Sequence, residues 1–210
     1  MRSLRAIKLV SRVATPRWVH RFVHELVTKL TLSSEPRFVP VIPAKGASKS
    51  ECFYNVPDHI AEHGGGCQFG WAIWQVANLF VEAEFHCVWV SPEGEWVDVT
   101  PKADEETRIL FVPDPVRKWE RRRVFNIRHP ITDCPELQAF LAKCEEVDAL
   151  MRDNASPVDP HEFTVSPDVW NRVNQEKARC ATKLIPLVLP ESSRCCCESG
   201  RNFKNCCGKL

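Results

Sequence analysis

Five of the 11 cysteines in this 210-residue chain crowd into its last 16 residues: Cys195, Cys196, Cys197, Cys206 and Cys207. So short a segment has almost no apolar side chains to bury, and a bound metal is the natural source of its folding energy. Cys195 and Cys197 are one residue apart, and Cys206 and Cys207 are adjacent after a spacer of eight. Two thiol pairs bridged by a short hairpin supply the four soft ligands that a tetrahedral zinc site takes. Gly200 permits the tight turn between them. The other six cysteines (Cys52, Cys67, Cys87, Cys134, Cys144 and Cys180) are scattered. A disulfide scaffold would spread its cysteines through a short secreted chain. An odd total with a terminal cluster reads instead as a metal site plus free thiols in a reducing compartment, so a cytoplasmic protein is expected.

The charge balance removes other classes. Lys and Arg number 28 against 27 Asp and Glu, a formal net charge of +1, and 44% of residues are hydrophobic. Neither a disordered polyelectrolyte nor a globally basic nucleic-acid binder has that composition. The longest apolar runs, such as Leu184 to Leu189, are too short for a membrane span. The first 24 residues carry Arg2, Arg5, Lys8, Arg12, Arg17 and Arg21 with no acid before Glu25. Organelle transit peptides share that bias, but the apolar pattern runs on past Trp18, which favours a basic surface helix.

The tail resembles the SEC-C zinc motif, known from the C-terminus of the SecA translocation ATPase. Cys195, Cys197, Ser199, Gly200, Arg201, Phe203, Lys204, Cys206, Cys207 and Gly208 carry the match. Cys196 and Glu198 depart from it, standing where the family usually has proline and glycine. The resemblance implies that Cys195, Cys197, Cys206 and Cys207 are the zinc ligands and Cys196 a spare thiol, with a register in which Cys196 replaces a neighbour also open. It further implies a binding module for a protein, nucleic-acid or ribosomal partner. Four thiolates leave no open position for water, so the knuckle itself is not catalytic.

Four sections are expected along the chain: 1–45, an N-terminal helix and extended connector; 46–125, an α+β core; 126–190, a helical extension; and 191–210, the knuckle. Val19, Phe22, Val23, Leu26, Val27 and Leu30 form a helical stripe with Pro16 as a fitting start. Pro36, Pro40 and Pro43 flank an extended edge segment. Cys52 to His63 reads as a short helix ended by Gly64. Phe69 to Gln75, Leu79 to Val90, Glu95 to Val99 and Ile109 to Val112 read as strands, with a hairpin turn at Pro92 to Gly94. Glu136 to Met151 and Asp168 to Leu184 read as helices, the first capped by Thr132 or Asp133. Trp71, Trp74, Trp89 and Trp96 are core candidates. The basic run Arg117 to Arg123 suits a solvated face or an anionic partner.

Three residues of the core carry nucleophile chemistry. Cys52 opens a helix, whose positive end favours a thiolate. His86 lies on a strand, and Asp98 follows the next turn, where a carboxylate can hold one imidazole nitrogen and leave the other for the thiol. The separations are 34 and 12 residues. This layout, with His86 in His-Cys-Val-Trp and Asp98 in Trp-Val-Asp-Val-Thr, resembles the transglutaminase-like branch of the papain-type thiol enzymes. The spacing from histidine to tryptophan is one residue longer than in the family. The resemblance implies a papain-like α+β fold, a small antiparallel sheet with flanking helices, and a Cys52-His86-Asp98 triad for hydrolysis or acyl transfer on an amide. Glu82 and Glu84 share the strand face of His86 by alternation and would raise its pKa if that face lines a cleft.

Two alternatives stand beside it. One is a non-catalytic zinc-binding adaptor for protein or nucleic-acid partners. The other is a zinc peptidase, because His59-Ile60-Ala61-Glu62-His63 matches a His-x-x-Glu-His signature. Gly64 to Gly66 ends that helix at once, and no downstream helix offers an obvious acidic third ligand. His20 and His24, also four apart, read as surface residues. The cysteines outside the triad and tail (Cys67, Cys87, Cys134, Cys144 and Cys180) read as small buried apolar side chains.

Overall fold

Two apolar-rich runs buried on both faces, Gly66–Val76 and Phe80–Val90, build the hairpin at the centre of the sheet. The computed structural model describes residues 4–103, 106–156, 158 and 162–209. Arg2, counted above in the basic N-terminus, lies outside them. In chain order the elements are α1 (Leu4–Ser11), α2 (Arg21–Lys29), β1 (Arg37–Pro40), α3 (Cys52–His63), β2 (Gly66–Val76), β3 (Phe80–Val90), β4 (Trp96–Val97), β5 (Arg108–Pro113), β6 (Ile127–Pro130), α4 (Pro135–Asp153) and α5 (Pro167–Leu184). The fold is α+β. The sheet has six strands in the order β1-β5-β2-β3-β4, with β6 also pairing β3.

The chain forms two compact units. One comprises Ala14–Trp74 and Glu82–Trp119. Here β5 lies antiparallel between β1 and β2, and β3 lies antiparallel to β4. Val39, Ala72, Trp74, Val88, Ile109 and Phe111 make one core cluster from four strands. Gly70 lets β2 and β5 approach closely: a Cβ there would sit 2.2 Å from the Val112 carbonyl oxygen. The second cluster joins Cys52 and Val56 of α3 to Cys87 and Val99, with Phe69 and Trp89 packed against it. That contact seats α3 on the hairpin strands. Trp71 and Trp74 are buried as expected, whereas Trp89 and Trp96 are half-buried.

Three local expectations are corrected in this unit. No helix starts at Pro16; α2 begins at Arg21. The preceding segment is drawn out because the Thr15 amide donates to Glu106 Oε1 and its hydroxyl to the Arg108 carbonyl. The strand from Glu95 shrinks to Trp96 and Val97, so Asp98 lies just beyond β4 and meets Val41 through a single parallel bridge. Its side chain turns back to accept from the Thr100 amide, which ends the extended run. Cys67 is exposed rather than buried.

The other unit comprises Met1–Val13, Gln75–Val81 and Glu120–Leu210. Its core gathers Val76, Leu79 and Phe80 with Leu137, Leu141 and Leu184, so the hairpin turn is sandwiched by α4 and α5 residues. Lys143 joins the two helices through a 2.7 Å ion pair with Glu176. Asn78 secures the turn: its Nδ2 donates to the Leu187 carbonyl, and its Oδ1 accepts from the Leu189 amide, both at 3.0 Å. The expected cap of α4 is displaced. Cys134 holds the N-cap position without a side-chain bond, because the Thr132 hydroxyl is spent on the Asn78 carbonyl. The short β6 was not legible as a strand. No described helix is long and apolar enough to cross a membrane.

Candidate active site and metal centre

Cys52 is the first residue of α3 and is buried. The loop before it is pinned by Asn55, one turn along the helix. Asn55 Oδ1 accepts from the Ser48 amide at 3.0 Å, while Nδ2 donates to the Ser48 carbonyl at 2.8 Å and to Thr100 Oγ1 at 3.1 Å. The Ala44 amide donates to the Val99 carbonyl. The helix start carrying Cys52 is thereby tied to the segment carrying Asp98.

His86 and Asp98 are both buried, and His86 Nε2 lies 2.9 Å from Asp98 Oδ2. A third group completes the cluster. Lys102 Nζ is 2.5 Å from the same Asp98 oxygen and 3.3 Å from His86 Nε2, with only 9% of its side chain exposed. Burial alone would push the His86 pKa down. The negative charge of Cys52 opposes it most strongly, and Asp98 adds to that against Lys102, so His86 is raised to about 10. Burial would likewise raise Asp98, but His86 and Lys102 together hold it below the usual carboxylate range. An imidazolium beside a thiol is the charge state that thiol nucleophiles use. With Nε2 on Asp98, Nδ1 is the ring nitrogen not engaged by that carboxylate.

Glu84 does not serve this centre, because its carboxylate accepts from Trp74 Nε1 at 2.7 Å. Sequence reasoning missed Lys102 and Asn55. Asn55 had a signal, following Cys52 by three within one turn of the same helix, whereas Lys102 lies in an irregular segment where its spacing from Asp98 carries none.

A second thiol pair lies nearby. The Cys67 thiol is pulled down to about 6, first by a hydrogen bond from Cys87 and, against its partial burial, by the Lys118 charge. Cys87 is pushed up by that bond and by burial. The basic run is partly explained as well. Arg117 lies over the Trp71 ring and Lys118 over Phe69, so these two cations pack on the aromatic cluster of their own unit.

His59 and His63 pack ring against ring at 4.3 Å, and Glu62 Oε2 lies 3.7 Å from His63 Nε2. Among the described residues no further ligand joins them in a metal-holding group, which leaves the peptidase reading without a site. His20, expected at the surface, is instead buried at the N-cap position of α2, where its ring packs edge-on against Phe22, while His24 is exposed.

In the tail, the Sγ atoms of Cys195, Cys197, Cys206 and Cys207 all lie within 4.8 Å of one another, with three of the four residues buried. This donor set can hold a metal ion. Cys197 and Cys206 sulfurs are 3.2 Å apart, and those of Cys206 and Cys207 3.5 Å. Around them, Phe203 is fully buried, and Gly208 allows the chain to close over it: a Cβ there would sit 2.5 Å from the Phe203 ring. The knuckle is tethered to α1, because Arg5 donates to the Gly208 carbonyl and pairs with Glu191 at 3.2 Å.

No family model, curated protein or solved structure matches this chain.

Proposed function

We propose that the chain is a thiol hydrolase or acyltransferase acting on an amide or related acyl bond, with a zinc knuckle at its end. The observation that supports it is the buried His86 ring, bonded to Asp98 at 2.9 Å, whose pKa is raised against burial by Cys52 and Asp98 together. In this reading Cys52 Sγ attacks the acyl carbon and His86 gives its proton to the leaving amine, producing a thioester. His86 then takes a proton from water, or from an acceptor amine or hydroxyl, as that nucleophile displaces Sγ. Asp98 orients the ring and offsets its positive charge. The papain-type or transglutaminase-like fold remains part of this proposal.

Zinc would be held by Cys195, Cys197, Cys206 and Cys207, and it would supply the local fold rather than chemistry. Arg194, Arg201, Lys204 and Lys209 are exposed on the knuckle against Glu191 and Glu198. With four thiolates around a divalent zinc the knuckle is near neutral overall, and a protein, nucleic-acid or ribosomal partner rests on the resemblance of its motif. The free thiols suit the reducing cytoplasm.

The test is site-resolved alkylation with iodoacetamide. Cys52 should react faster than Cys134 and Cys144 and lose that advantage in His86→Gln. Cys67, exposed and with a depressed pKa, should react in both proteins. Equal rates for Cys52, Cys134 and Cys144 would remove the triad reading. A second reading, the zinc-binding adaptor without catalysis, has support in the burial of Cys52, only 4% exposed. It would make His86, Asp98 and Lys102 a structural ion cluster.

A further inference from the structure

Lys102 is an expensive residue to bury. Its ammonium reaches Asp98 Oδ2 at 2.5 Å, on the oxygen that already carries His86 Nε2 at 2.9 Å. The other carboxylate oxygen accepts from the Thr100 amide at 3.0 Å. With His86 as an imidazolium, each Asp98 oxygen already accepts one hydrogen bond and the carboxylate has a counter-charge without Lys102. Desolvating a second cation for a satisfied carboxylate gains little in a static structure.

The lysine matters once the proton moves. When His86 gives its proton to a leaving group, the imidazole becomes neutral and Asp98 loses its counter-charge. A buried carboxylate left unpaired is strongly disfavoured, and that cost would hold the proton on the ring. With Lys102 in contact, Asp98 stays paired in both states of His86.

We propose that Lys102 is a positioning residue of the thiol centre, keeping Asp98 paired through the proton transfer so that His86 can surrender its proton. This rests on the hydrolase reading. The charged groups acting on His86 are Cys52 from α3 and Asp98 and Lys102 from the segment after β4, and the Lys102 charge opposes the other two. Glu84, on His86's own strand, is occupied by Trp74.

The experiment is NMR titration of the His86 ring Cε1–H in the full chain, assigned with His86→Gln. In the native protein the midpoint should lie near the value of about 10 that its surroundings give it. In Lys102→Met it should rise by on the order of one pH unit, and in Lys102→Arg it should stay close to the native value. Lys102→Gln, which keeps a hydrogen bond to Asp98 without the charge, should follow Lys102→Met. An unchanged or lower midpoint in Lys102→Met overturns the proposal. Failure of both neutral variants to fold while Lys102→Arg folds does so too, since the lysine would then serve structure alone. The hydrolase reading is judged separately, by native Cys52 alkylation. A reactive Cys52 with an unmoved His86 midpoint removes only the role of Lys102, whereas an inert Cys52 removes both.

Discussion

The Asn55 side-chain amide donates to Thr100 Oγ1 at 3.1 Å, joining the first turn of α3 to the segment that carries Asp98. Cys52 lies three residues before Asn55 and Asp98 two before Thr100, so one buried amide links the helix start at Cys52 to the segment of Asp98.

Asn55→Ala should therefore act on both stability and the site. It strands the Ser48 amide and Thr100 hydroxyl in a partly closed region, at a cost of about 1–3 kcal/mol. Urea unfolding should show that loss, and Cys52 alkylation should slow. A Cys52 rate equal to that of the native protein would mean that Asn55 fastens the loop without setting the site.

The pH profile of stability carries the signature of the cluster. His86 rises from 6.5 to about 10 on folding. The folded chain thus keeps a proton that the unfolded chain releases, and the contribution is complete below about 6.5 and lost as pH climbs through 10. Asp98 is depressed below 3.8, so its contribution is present above that value and lost as pH falls through the depressed one. Unfolding free energy should therefore decline on the alkaline side, and His86→Gln should flatten that decline between neutral pH and 10.

The knuckle should carry one metal ion per chain. Cys206→Ser, which removes the thiol nearest to Cys197, should release it, and Cys196→Ser should retain it if the ligands are Cys195, Cys197, Cys206 and Cys207. Metal analysis of the two purified variants reads the ligand set directly. Loss on Cys196→Ser with retention on Cys195→Ser or Cys197→Ser would establish the shifted register.

Gly70→Ala tests the seam between β2 and β5. The added methyl would meet the Val112 carbonyl oxygen at 2.2 Å and the Phe111 ring at 2.5 Å, so the strands must part. A destabilisation of about 1–3 kcal/mol is expected, read as a lowered urea midpoint. Gly46→Ala is the contrasting variant, because a Cβ there meets nothing within 4 Å. Its positive φ of 81° leaves only backbone strain, about 1 kcal/mol.

Local pattern was enough for the terminal thiol cluster, for α3 opening on Cys52, for the two central strands and for α4 and α5. Each depends on a pattern within a short stretch: paired cysteines, a glycine stop, a short apolar run, a period of 3.6. What escaped the sequence depends on partners remote along the chain. Thr15 leaves the helical pattern because Glu106 and Arg108 claim its donors, and Thr132 cannot cap α4 because Asn78 claims its hydroxyl. Cys67 and Cys87 look alike as letters, yet one strand position exposes its thiol and the other buries it. Lys102 is the sharpest case. Four residues after Asp98 in an irregular segment, it carries no periodic signal, and only the folded chain brings its ammonium onto the oxygen that holds His86. The sequence by itself determined which short stretches fold as helix, strand or thiol cluster and which side chains are candidates for chemistry. The tertiary structure decided which of them share a buried charge, because pairing energies depend on distances of a few ångströms that no local spacing encodes.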